Sequence, residues 1–85
     1  MTLMDEIKKD PAYDLMLAMI AASVKRWVNL YRISLEKDLN IRQYSDLRAE
    51  TDFILNSTYM ELLGLDGRYI LKTLRERLVK EHDYK

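Results

Sequence analysis

Few of the 85 side chains are of a kind that does covalent chemistry. With no cysteine, thiolate nucleophiles, thiolate metal sites and disulfides are all excluded. The single histidine, His82, falls in a charged stretch from Glu81 to Lys85 that is expected to fray. Ser23, Ser34, Ser45 and Ser57 have no base close to them in sequence, and Ser57 is placed to cap a helix. Gly64 and Gly67 are the only glycines, so a Gly-rich phosphate loop is absent, as are the His-Glu-x-x-His and calcium-loop spacings. Asp46 and Glu50 stand four apart on one helix, but no histidine or third carboxylate joins them at metal-ligand spacing, and a solvated face is expected. The chain reads as a protein that is not an enzyme and that needs no cofactor or metal.

Two patterns carry binding chemistry instead. Arg68, Lys72 and Arg75 recur at i, i+4 and i+7 close to the start of a helix, and helix N-terminal amides beside basic side chains suit phosphate. In an oligomer, copies of that face can converge on one phosphate or nucleotide ligand. The plain alternative is a solvated face interleaved with Glu76. The same region has the outline of a DNA-binding helix-turn-helix: a helix over 58–63, a turn at Gly64, then a helix bearing Arg68, Lys72, Arg75 and Arg77. Its first helix is very short, however, and the chain carries 14 basic against 14 acidic residues. A specific nucleic-acid binder normally concentrates a basic surface, and a balanced chain has no general pull towards anionic lipid either. The longest apolar run, Leu15 to Ala22, is far short of the roughly 20 residues that span a bilayer. No basic-then-apolar leader opens the sequence.

The elements that must position these residues are all helical. Asp10 is a good N-cap, Pro11 a good first helical residue, and no further Gly or Pro occurs before Gly64. The pattern predicts one long helix over about 11–38, roughly 42 Å at about 1.5 Å per residue. A compact domain of this length is only about 30 Å across, so the helix either bends or needs another copy to cover its overhang. Its main apolar arc holds Tyr13, Met16, Leu17, Ile20, Val24, Trp27, Val28, Tyr31 and Leu35. A second stripe of Leu15, Met19, Leu30 and Ile33, interrupted by Arg26, is surplus for a small monomer and is the expected interface of a homo-oligomer. The competing arrangement lets the later helices straddle both stripes in one bundle.

Before the long helix, Thr2, Leu3, Met4 and Ile7 suggest a short helical lead-in over residues 1–9. After it, Asn40 with Gln43 resembles a capping box opening a helix over about 41–56, with Ile41, Tyr44, Leu47, Ile54 and Leu55 apolar. The polar middle of that helix, residues 48–52, is expected to face water. Asn56 or Ser57 caps the short helix 58–63, Gly64 ends it, and Asp66 caps a last helix over about 67–82. The last helix should bury Ile70, Leu71, Leu74, Leu78 and Val79. The expectation is a single all-α domain over residues 1–85, a small helical bundle with one long N-terminal helix and a C-terminal helical hairpin.

The run from Phe53 to Leu74 carries a resemblance. Phe53, Asn56, Tyr59, Leu62, Asp66, Gly67, Ile70, Leu71 and Leu74 follow the aromatic–cap–aromatic–Asp-Gly–aliphatic pattern of small helical proteins encoded by phages and prophages of Firmicutes. Thr58 stands where that family often has Trp, and Ile54 where it often has Phe. The resemblance implies viral origin and hence the host cytosol, and it implies no specific activity. Together with the surplus stripe, it leads to the expectation of a phage-type accessory protein that acts by binding. Its partners are expected to be a second copy of itself and a host protein that it docks on, in countering a host defence for instance. Trp27, Tyr31 and Tyr59 are of the type that anchors interfaces, but at helical spacing they belong to the core.

Overall fold

A computed structural model of the chain describes residues 11–83. Among them, all regular structure is helical: α1 (Pro11–Glu36), α2 (Ile41–Asn56), α3 (Thr58–Leu62) and α4 (Gly67–Asp83). The four helices expected from residue 11 onward are there, with α1 ending two residues early, α3 one residue early and α4 one residue late. The lead-in over 1–9, the cap at Asp10 and the final Tyr84 and Lys85 lie outside the described residues.

α2 folds back along α1, and its start is fixed by reciprocal bonds. The Asn40 carboxamide oxygen accepts from the Gln43 amide at 2.8 Å, while the Asn40 amide donates to Gln43 Oε1 at 3.1 Å. Each satisfies a backbone group that the first helical turn leaves open. Ser57, rather than Asn56, caps α3 by accepting from the Tyr59 amide. Gly64, at φ +68°, then closes α3. The Leu65 amide donates to Met60 O at 2.9 Å and the Gly64 amide to Glu61 O at 3.1 Å, the two bonds of a Schellman ending. α4 returns alongside α1 and α2.

The core lies where these elements meet: Ile20 and Trp27 of α1, Ile54 of α2, Met60 and Leu63 around α3, Leu71 and Leu78 of α4. Phe53 and Tyr59 pack as a tilted pair with ring centroids 6.3 Å apart. Gly67 is buried because α4 begins against the end of α2; a Cβ there would lie 2.9 Å from the Ile54 carbonyl carbon and 3.2 Å from Leu55 Cα. The bundle is elongated, 48 × 27 × 17 Å.

Three expectations are corrected. The middle of α2 does not simply face water: Glu50 and Thr51 are half-buried and turn towards α1, where they meet Ser23, Arg26 and Trp27. Of the apolar residues of α2, Leu47 and Ile54 turn inward, while Ile41, Tyr44 and Leu55 are exposed. Val79 is also exposed, because it lies well round α4 from Leu71 and Leu78. The end of α4 is helical through Asp83, with Glu81 paired to Arg32 at 3.4 Å and His82 half-buried, so His82 is not in a frayed end.

Candidate protein-docking surface

The corner where α1 gives way to α2 presents the most exposed large apolar side chain of the described residues, with a second exposed ring one turn from it. Ile41, the first residue of α2, is 90% exposed, and Tyr44, one turn on, is 64% exposed. The capping box sets the direction in which α2 starts and hence where these two point. Shallow grooves flank Tyr44. One is floored by Tyr31, Leu39 and Leu47 and edged by Ser34 and Lys37; the other runs past Leu47 towards Arg48 and Thr51.

Ring stacking and hydrogen bonds beneath this corner tie α1 to α2. The Tyr31 ring stacks on Trp27 at a centroid distance of 4.8 Å and an interplanar angle of 10°. Trp27 is 1% exposed, and its Nε1–H donates to Thr51 Oγ1 at 3.0 Å, while the Thr51 hydroxyl donates to Leu47 O at 2.8 Å. An apolar ring thus keeps its one polar group bonded while buried. The surface offers an exposed tyrosine and isoleucine with partly apolar floors between them, and tyrosine is among the residues that dominate binding energy at protein interfaces.

A second polar cluster joins α1 to α2 one turn further along. The buried Ser23 hydroxyl donates to Glu50 Oε2, and Arg26 Nε donates to Glu50 Oε1 at 2.7 Å. Burial pushes the Glu50 carboxyl up, but hydrogen bonds from Arg26 and Ser23, with the Arg26 charge, outweigh it and hold the pKa below the ordinary value. Ser23 therefore does have a carboxylate beside it, which sequence spacing could not reveal. The pairing favours structure over nucleophilic chemistry. The hydroxyl is sealed from solvent, and a carboxylate held ionised by a guanidinium is a weak base. Asp46, by contrast, is exposed.

The residues singled out from sequence do not form one site. Arg68, Lys72 and Arg75 are all exposed on α4, and none makes an ion pair among the described residues. Two of the amides that a phosphate would use are taken: Asp66 Oδ1 accepts from the Arg68 and Tyr69 amides at 3.0 and 3.3 Å and places negative charge at that end. Of the expected interface, Leu15 and Met19 are exposed, whereas Leu30 and Ile33 are half-buried in separate grooves. Leu30 lies beside Arg26 and Asp46 on the α2 side, and Ile33 beside Leu78 and His82 on the α4 side. The four do not make one continuous stripe, because the later helices occupy both flanks of α1's C-terminal half. Ile41 and Tyr44 were missed as surface residues, although the periodicity held the signal. Leu47, Glu50, Thr51 and Ile54 share one side of α2, and at about 100° per residue Tyr44 lies to one side of them and Ile41 further round.

The chain matches no protein-family model, no curated protein and no solved structure. Among the described residues no helix is long and apolar enough to cross a membrane.

Proposed function

We propose that the chain is a non-catalytic protein-interaction module of the viral accessory type, and that it docks on a host protein through the α1–α2 corner. The observation that carries this is the pair Ile41 and Tyr44, held out from a capped helix start beside apolar grooves with a stacked Trp27–Tyr31 base. An isoleucine as exposed as this contributes nothing to the chain's own stability. In a complex it contributes roughly 1.5–3 kcal/mol if fully covered. The viral assignment rests on the Phe53–Leu74 resemblance alone, and in this structure that segment supplies caps, core and the close approach at Gly67 rather than a binding face.

The test is photo-crosslinking from position 44 in a bacterial lysate, followed by direct binding to the captured protein. One stoichiometric partner is expected, with its affinity reduced at least tenfold by Ile41→Asp or Tyr44→Ala. Both variants should melt like the parent, since both positions are exposed. No partner, or a partner indifferent to both substitutions, refutes the proposal.

A further inference from the structure

The N-terminal half of α1 presents a different surface, at the other end of the bundle from the corner. Ten consecutive residues, Leu15 to Val24, carry no charged side chain. A helix that is apolar all round normally has cover all round. Here only one side has it: Ile20, Ser23 and then Trp27 are buried, while Leu15 is 63% exposed and Leu17, Ala18, Met19 and Ala21 are exposed too. The outward side is bounded by opposite charges, Asp14 before it and Lys25 after it. Both are exposed, and neither is in an ion pair among the described residues. Further along, the same side becomes polar with Asn29, Arg32 and Glu36.

The spacing selects the occupant. Asp14, Ala18, Ala21 and Lys25 follow one another at intervals of four, three and four, the spacing that keeps residues on one seam of a packed helix pair. Their order, acid–small–small–base, is self-complementary under a two-fold axis. We infer that this face is covered by the same face of a second copy, with the two α1 helices antiparallel and crossing between Ala18 and Ala21. In that register Ala18 of one copy meets Ala21 of the other, and Asp14 meets Lys25 at both ends. Leu15 and Leu17 cover the flanks, and the small central residues allow close approach. A parallel arrangement instead sets Asp14 against Asp14 and Lys25 against Lys25. Within the described residues the overlap, Pro11 against Val28, spans about 25 Å of helix, an overlap at the small end of specific interfaces. The dimer is therefore concentration-dependent.

Sedimentation equilibrium of the full chain, up to about 100 μM, tests the inference with four charge states. The parent should be a monomer–dimer system. Asp14→Lys alone and Lys25→Asp alone should each weaken the dimer about tenfold or more, because two attractions become two repulsions. The double swap, Asp14→Lys with Lys25→Asp, should restore it to within about threefold of the parent. Mixing the two single variants should give a heterodimer tighter than either homodimer. Circular dichroism on each variant separates dissociation from loss of helix, and Ala18→Glu gives an independent break at the centre. A parent that stays monomeric overturns the inference, as does a dimer that ignores the swaps or that the double swap fails to restore. None of these outcomes bears on the corner surface, whose own test is unaffected.

Discussion

The two glycines are required for different reasons, and replacing each with alanine separates them. At Gly67 the backbone conformation is ordinary and the difficulty is space. A Cβ would stand 2.9 Å from the Ile54 carbonyl carbon, with the carbonyl oxygen closer still. Restoring an ordinary separation of about 3.5 Å to that carbon alone needs a shift of about 0.6 Å. The obstacle is helix backbone, not a flexible side-chain end, so α4 must lift away from α2. Lifting it loosens Leu71, which is buried, from Ile54, which is 0% exposed. Overpacking of this kind costs about 1–3 kcal/mol, and contact with backbone places Gly67→Ala at the upper end. Alanine's better helix propensity returns at most about 1 kcal/mol. The net loss is about 2 kcal/mol, or about 8–16 °C in Tm for a domain of this size. Gly64 has nothing within 4 Å of its would-be Cβ but sits at φ +68°. Gly64→Ala therefore suffers only the left-handed strain, about 1–2 kcal/mol, and Gly64→Asn less. Thermal and urea unfolding followed by circular dichroism measure both. A Gly67→Ala protein melting within about 3 °C of the parent refutes the close approach of α4 to α2, and with it the account of why Gly67 follows Asp66.

Three further outcomes follow from the same packing. Trp27→Ala should destabilise by about 3–5 kcal/mol, the range for a buried large aromatic, and urea unfolding checks it; a negligible loss would mean that Trp27 is not in the core. Glu50→Gln should be destabilised near neutral pH by on the order of 1 kcal/mol, discounted for the exposed side of Arg26. Because the folded Glu50 pKa lies below the unfolded value of about 4.3, its contribution is present above that pH and lost as pH falls through the folded value. The gap between parent and Glu50→Gln in pH-dependent melting should therefore close in acid, and a gap constant down to pH 2 refutes the ion-pair account. Native mass spectrometry of protein recovered from a bacterial lysate should show no retained nucleotide-sized mass, given Asp66 at the α4 amides; a reproducible one lost with Arg68→Gln and Lys72→Gln would favour the anion-binding reading instead.

The elements themselves were legible because their boundaries are local chemistry. The Asn40–Gln43 box, the Ser57 cap, Gly64 and the Asp66 cap each act within a few residues, and each is found where the sequence puts it. The faces were harder, because a face is defined by what packs on it. Glu50 looked like a surface carboxylate until Ser23 and Arg26, 27 and 24 residues away, were brought to it. Leu30 and Ile33 looked like continuations of Leu15 and Met19, but residues of α2 and α4 lie beside Leu30 and Ile33 and leave Leu15 and Met19 exposed. Seventeen residues of α4 and 16 of α2 cannot cover the 26 of α1 from end to end. The surplus apolar stripe seen in the sequence is thus real only over its first half, and Ile41 and Tyr44 replace its second half as the exposed apolar surface.

The two proposed surfaces sit at opposite ends of α1, and that placement has a consequence if both hold. A two-fold axis between Ala18 and Ala21 leaves the end of α1 in each copy about 17 residues of helix from the crossing point. The two corners of a dimer are then about 50 Å apart and point away from each other. Nothing in that arrangement lets one corner occlude the other, so the dimer presents two independent docking surfaces at a fixed span. Against a monomeric partner this adds no affinity. Against a partner with two sites at a matching distance, the second contact becomes intramolecular and the gain reaches 10²–10⁴. The dimer-breaking change Asp14→Lys should then leave capture of an isolated partner domain untouched and weaken capture of a divalent one by about that factor. Ile41→Asp should weaken both at least tenfold. Surface plasmon resonance on sparse and dense partner layers distinguishes the two. Equal loss on both layers with Asp14→Lys would mean that the corner itself depends on the second copy, and the two surfaces would have to be read as one.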